Sequence, residues 1–198
     1  MGELGGRSMH DFAVKLQASR GYREQTDIEL LQDLIPGCVS VVKTDEQTDR
    51  QGVDYIATLR RGAEILIDAK SRERGASRYW NGSGPELALE IWSVRPGGKY
   101  NTPWEQRKVG WSLCEAKQTD MIYYTFDPSD CGDVFLLPFQ HLRMAFRQNW
   151  RQWSMTYRRK VQDSYTWESV CVFIPANVVI KAIESIERCH VTREMRFI

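Results

Sequence analysis

Two aspartates and a lysine stand where strand alternation can bring them onto one surface. In the stretch QGVDYIATLRRGAEILIDAKSR, Gln51 to Arg72, the segments Val53 to Leu59 and Glu64 to Lys70 carry the β-branched and apolar residues of strands, with Arg60, Arg61 and Gly62 between them. This predicts a β-hairpin. If Gly62 takes the positive φ of a three-residue connection, Thr58 falls opposite Glu64, Ile56 opposite Leu66 and Asp54 opposite Asp68. Side chains two apart share a face, so Lys70 joins the two carboxylates. Asp is depleted in strand interiors, and two carboxylates about 5 Å apart across a strand pair repel. On this reading, removing either one relieves strain in the metal-free protein. A divalent cation that favours oxygen ligands, Mg²⁺ or Mn²⁺, resolves the conflict, keeps several waters and binds readily beside a phosphate. The aliphatic run Ile65-Leu66-Ile67 directly before Asp68 predicts a buried strand that ends on that carboxylate.

The pattern Gly52-Val53-Asp54, thirteen intervening residues, then Asp68-Ala69-Lys70 resembles the PD-(D/E)XK nuclease superfamily. There the hairpin carries an Asp on one strand and Asp/Glu-x-Lys on the next. Val53 stands where the superfamily's name has Pro, and the second acid is Asp, which the pattern allows. The resemblance implies a restriction-endonuclease-like core in which Asp54, Asp68 and the carbonyl of Ala69 hold Mg²⁺ or Mn²⁺. Lys70 then orients or deprotonates the attacking water and offsets charge in the transition state. It also implies further acids, Glu29 on the helix before the hairpin and Glu90 on the strand after it. Their residue-level alternatives stay open: Glu29 completes a capping box with Thr26, and Glu90 pairs with a neighbouring Arg.

The elements that must position these groups follow in order. Helical spacing covers Met9 to Ser19 and Asp27 to Ile35, the second closed by Pro36-Gly37. Strands are expected over Cys38 to Val42, over the hairpin, and over Leu87 to Val94, where Ala88, Glu90 and Trp92 share one face. Trp111 to Leu113 and Thr119 to Phe126 bracket a turn, and Val134 to Leu137 pairs with the latter as an antiparallel neighbour. From Pro138, the residues Phe139, Leu142, Phe146, Trp150 and Trp153 form an apolar helical stripe. Ser169 to Phe173 reads as a strand and Ala176 to Arg188 as a helix.

Val134 to Gln162 holds six cations and no acid. Within it Arg143, Arg147 and Arg151 recur every four residues, an exposed ridge suited to a phosphate backbone. The Arg- and Gly-rich stretch from Arg72 to Gly84, with Arg72 and Arg74, is either a mobile loop beside a phosphate-binding surface or an ordinary solvated one.

A chain of 198 residues with 42% hydrophobic content supports one core, hence a single domain over 1-198 with a flexible N-terminus over about 1-8. A net charge of +1 removes any argument from bulk electrostatics. Five scattered cysteines without a CxxC pair point to reduced, structural thiols. No signal-peptide core or apolar run of spanning length appears, so the expected location is cytoplasmic with no membrane partner.

The expected fold is α/β, a mixed central β-sheet flanked by helices. The expected function is Mg²⁺-dependent endo- or exonucleolytic hydrolysis of phosphodiesters, with DNA favoured over RNA and a homodimer possible. Two other classes compete with it. One is a catalytically silent nuclease-like module that binds nucleic acid or protein, such as a phage or defence-related inhibitor or assembly factor. The other is a small-molecule metal hydrolase.

Overall fold

The computed structural model describes residues 25–45, 52–72, 74–80 and 82–194. The expected helix over Met9 to Ser19 and the N-terminal segment lie outside the described residues. The chain divides into two compact units, residues 1–66 and 67–198.

In the first unit residues 25–34 form helix α1, with Leu31 and Ile35 buried. Gly37, at φ 76°, turns the chain out of it. Because Gln25 is already helical, Thr26 lies inside α1 and does not cap it. Strand β1 (Cys38–Lys43) pairs antiparallel with β2 (Tyr55–Leu59), aligning Val41 with Ala57 and Lys43 with Tyr55. The turn that follows is the expected one. Leu59 N donates to Ala63 O and Gly62 N to Leu59 O, each at 2.8 Å, and Gly62 has φ 78°. Three residues therefore close the connection, with glycine at the left-handed position that a side chain would strain.

Strand β3 (Glu64–Arg72) contains the boundary between the units. In the second unit β3 runs parallel to β6 (Met121–Phe126), with Asp68 beside Ile122 and Lys70 beside Tyr124. Antiparallel to β6 lies β7 (Val134–Pro138). A separate four-stranded sheet has the order β5-β4-β9-β8, formed by β4 (Glu86–Val94), β5 (Lys108–Val109), β8 (Arg159–Asp163) and β9 (Glu168–Pro175). The mixed α/β class is observed, but one central sheet is not. β4 takes β9 as its partner, Leu87 beside Ile174 and Glu90 beside Cys171, so Glu90 belongs to the second sheet.

Helices α2 (Phe139–Thr156) and α3 (Ala176–Glu194) complete the unit. Pro138 ends β7 just before α2, and Pro175 ends β9 just before α3. Proline cannot donate to a ladder but suits the junction ahead of a helix. Phe139, Leu142, Phe146 and Trp153 are buried as their spacing requires, while Trp150 is partly buried. They join Leu87, Leu89 and Ile91 of β4, Ile122 and Tyr124 of β6, and Val179, Ile183 and Ile186 of α3 in one apolar cluster. Across it the two sheets meet through Tyr124, whose hydroxyl accepts the Ala88 N–H at 2.8 Å. Burial pushes that phenol up to about 12, so it stays protonated.

Trp111 to Leu113 itself forms a turn. Within the Arg72 to Gly84 stretch the described residues include a short 3₁₀ turn. That turn, Ala76–Tyr79, is held by Asp130, whose Oδ2 accepts from Gly75 N at 2.8 Å and Ala76 N at 3.0 Å. Its Oδ1 accepts from Ser77 Oγ at 2.5 Å. The Ser77 hydroxyl is the main reason the Asp130 carboxyl sits below its ordinary value.

Candidate active site

Asp68 is the buried acid of β3, 2% exposed, and it is not alone. The Lys70 ammonium donates to Asp68 Oδ1 at 2.6 Å and to the Ala69 carbonyl at 3.2 Å. On the other side the Lys117 ammonium, its side chain only 8% exposed, lies 3.3 Å from Asp68 Oδ2. That is close enough for an ion pair but is not aligned as a hydrogen bond, so Oδ2 accepts none. Within this unit what faces Asp68 is positive charge, so losing the carboxylate leaves two ammonium groups without it. Lys117 sits in the turn ahead of β6, where no spacing rule marks it.

Lys70 also lies 5.7 Å from the centre of the Trp111 ring. The Trp111 backbone is fixed by Glu90: Oε2 accepts the Trp111 main-chain N–H at 3.1 Å and the Ser93 hydroxyl at 2.6 Å, while Glu90 N donates to Ser112 Oγ at 2.9 Å. Gly110 lets this loop approach, since a Cβ there would stand 2.2 Å from the Glu90 carbonyl oxygen. Within the second unit the fold thus gathers Asp68, Ala69, Lys70 and Lys117, and Glu90 holds the backbone of Trp111, whose ring faces Lys70. Glu90 is bonded to local donors and, among the described residues, not to an Arg.

Asp54 and Glu29 belong to the first unit. Asp54 is partly buried just before β2, and its carbonyl accepts the Thr44 N–H at 2.9 Å. Glu29 is exposed on α1 and accepts from the Gln25 side chain at 2.8 Å, an ordinary one-turn pair. The acid bonded to the start of β2 is Asp27, whose Oδ2 accepts from the Tyr55 hydroxyl at 3.3 Å.

The ridge on α2 is present but partly engaged. Arg143 donates to the Cys114 carbonyl at 3.2 Å and to the Gln140 amide oxygen at 2.5 Å. Arg147 pairs with Glu115 at 2.7 Å, both side chains 71% exposed, which is weak support for anything. Arg151 lies 5.5 Å from its neighbour's Trp150 ring. Arg72 and Arg74 stand at the far end of β3 and line a separate cavity.

Two hard oxygens that a metal would use, Asp68 Oδ1 and Ala69 O, already converge on one cation, the Lys70 ammonium. That donor chemistry fits Mg²⁺ or Mn²⁺, and the Lys70 side chain, 30% exposed, has room to withdraw. Among the described residues no group of three or more His, Cys, Asp and Glu side chains is placed to hold a metal ion, and no helix is long and apolar enough to cross a membrane. Compared with known proteins, the chain matches no family model, no curated sequence and no solved structure.

Proposed function

We propose that the protein is a metal-dependent nuclease acting on nucleic-acid phosphodiesters, DNA in preference to RNA. The observation that carries this reading is the convergence of Asp68 Oδ1 and the Ala69 carbonyl on a single cationic point midway along β3, which runs on to Arg72 and does not end at the carboxylate. Asp68 and Ala69 would hold Mg²⁺ or Mn²⁺, and the sequence resemblance alone adds Asp54. A bound metal would polarise the phosphate and acidify its water. Lys70, displaced from Asp68, keeps its charge beside the reacting phosphate, where it orients the water and offsets developing negative charge. Glu90 acts as a positioning residue that fixes Trp111 against Lys70. Arg143, Arg147 and Arg151, with Arg72 and Arg74, supply phosphate contacts, and a homodimer would place two such sites on a duplex.

The test is calorimetric titration of Mn²⁺ into the wild-type protein, Asp68→Asn and Lys70→Gln, followed by cleavage assays on single- and double-stranded DNA and RNA. The expected result is Mn²⁺ binding lost in Asp68→Asn, kept in Lys70→Gln, and cleavage down about 100-fold or more in both. No Mn²⁺ binding by the wild-type protein would reject the reading.

A second reading is favoured by one specific observation: Asp68 already faces two ammonium groups, which offset its charge without a metal. On that account the protein is a catalytically silent module that binds nucleic acid. It then retains DNA or RNA without cutting it, whatever metal is added.

A further inference from the structure

A cavity of about 280 Å³ opens between the end of β3, the 3₁₀ turn at Ala76–Tyr79 and the β8-β9 edge. Its walls carry Arg72, Arg74, Arg78, Arg158 and Lys160, five cations from two separate stretches of chain. Among the described residues, acids nearby cancel only part of this charge. Glu86 pairs with Arg158 at 3.1 Å, and Arg74 helps, after Ser129, to hold the Asp127 carboxyl below its ordinary value. Arg72, Arg78 and Lys160 have no carboxylate in ion-pair contact among the described residues. The cavity also includes Cys171, whose thiol is pushed up to about 11, first by burial and then by the Glu90 carboxylate. The sulfur therefore brings no negative charge at neutral pH.

The guanidinium groups are held in place by rings. Arg158 stacks 3.7 Å from the Phe173 ring and 4.7 Å from Tyr79, Arg72 lies 4.6 Å from Phe173, and Arg78 lies 4.9 Å from Tyr79. The Nε groups of Arg72 and Arg158 are buried without a hydrogen-bond acceptor. Leaving charged donors unmatched costs stability, and an anion that engages the same guanidinium groups offsets the excess charge.

We propose that this cavity is a binding site for a phosphate monoester, carried either at the end of a nucleic-acid strand or by a free nucleotide. A monoester holds about −1.5 to −2 charge near neutral pH, against one negative charge on each backbone phosphodiester. Cations gathered around one cavity, and not spaced along a groove, match the more concentrated charge. The volume stands near the lower edge of small-ligand pockets, about 300–1,000 Å³, which suits a phosphate with part of a nucleoside. The site stands apart from the metal reading, since neither Asp68 nor a metal enters it.

The experiment measures binding without added metal. The probes are inorganic phosphate, adenosine 5′-monophosphate, and one oligonucleotide bearing a 5′-phosphate, a 3′-phosphate or neither. Wild-type protein is compared with Lys160→Gln, Arg78→Gln and their double variant, all at exposed positions, with folding checked by thermal melting. At least one monoester probe should bind tenfold or more tighter than its phosphate-free counterpart, adenosine or the unphosphorylated strand, and the double variant should lose that preference. Preference for a strand end alone assigns the site to nucleic acid, and preference for the mononucleotide assigns it to a free nucleotide. Equal affinity with and without phosphate, or a preference that survives in the folded double variant, overturns the proposal. Asp68→Asn serves as the separating control: it should abolish Mn²⁺ binding yet keep the phosphate preference, so that failure of one site is not mistaken for failure of the other.

Discussion

Strand β3 presents Asp68, Lys70 and Arg72 on one face by simple alternation, yet its middle and its C-terminal end sit in different electrostatic surroundings. Around Asp68 a buried carboxylate meets two ammonium groups. About 13 Å further along, by the usual rise of a parallel strand, Arg72 enters a cavity where several cations share little negative charge. In the first cluster the protein's own cations meet the buried carboxylate, whereas the second is organised by aromatic rings and, among the described residues, has only the Glu86–Arg158 ion pair. Charge that is balanced internally stabilises the fold and must be rearranged before a cation can enter. Charge left unbalanced costs stability and is ready for an anion.

The largest effect expected from this contrast is on stability. Asp68→Ala removes the carboxylate that both Lys70 and Lys117 face, and it should destabilise the protein by about 3 kcal/mol, the lower end for breaking a buried pair. The low end applies because Lys70 can reach water. Lys160→Gln, in the unbalanced cavity, should change stability by less than about 0.5 kcal/mol. Urea denaturation of the two variants checks this, and an Asp68→Ala protein as stable as the wild type would erase the distinction.

A smaller effect sharpens the first cluster. Gly110→Ala places a Cβ against the Glu90 backbone and should cost about 1–3 kcal/mol, as overpacking does. It should also weaken the hold on Trp111, and with it the indole beside Lys70. Hydrogen exchange at the Trp111 amide reports this directly; unchanged protection would mean that the loop yields without disturbing Glu90.

The smallest effect concerns the wall of the cavity. Asp130 is held below its ordinary value of 3.8, chiefly by Ser77. A depressed carboxyl contributes stability that is fully present above the unfolded value and is lost as the pH falls through the folded one. Protection of the Gly75 and Ala76 amides should therefore persist at about pH 5 and fade only below 3.8, as Asp130 takes up a proton. Asp130→Asn should show reduced protection at both values. Loss of protection well above 3.8 in the wild type would mean that another group holds this turn.

Much of the local architecture was legible in the chain. The hairpin turn follows from Gly62, because only glycine takes a positive φ there without strain. The buried side of β4 follows from Leu87, Leu89 and Ile91, and the inner face of α2 from Phe139, Leu142, Phe146 and Trp153, because periodicity records which side of an element avoids water. Periodicity does not record what that side is packed against. Tertiary structure alone decided that β4 would take β9 as its partner, that Lys117 would reach Asp68, and that Asp130 would tie down Gly75 to Ser77. The cavity's cations are likewise distant in sequence, with Arg72 to Arg78 on one side and Arg158 and Lys160 on the other. Coulomb and hydrogen-bond partners are set by distance in space, and for residues far apart in the chain only the completed packing of the strands fixes that distance.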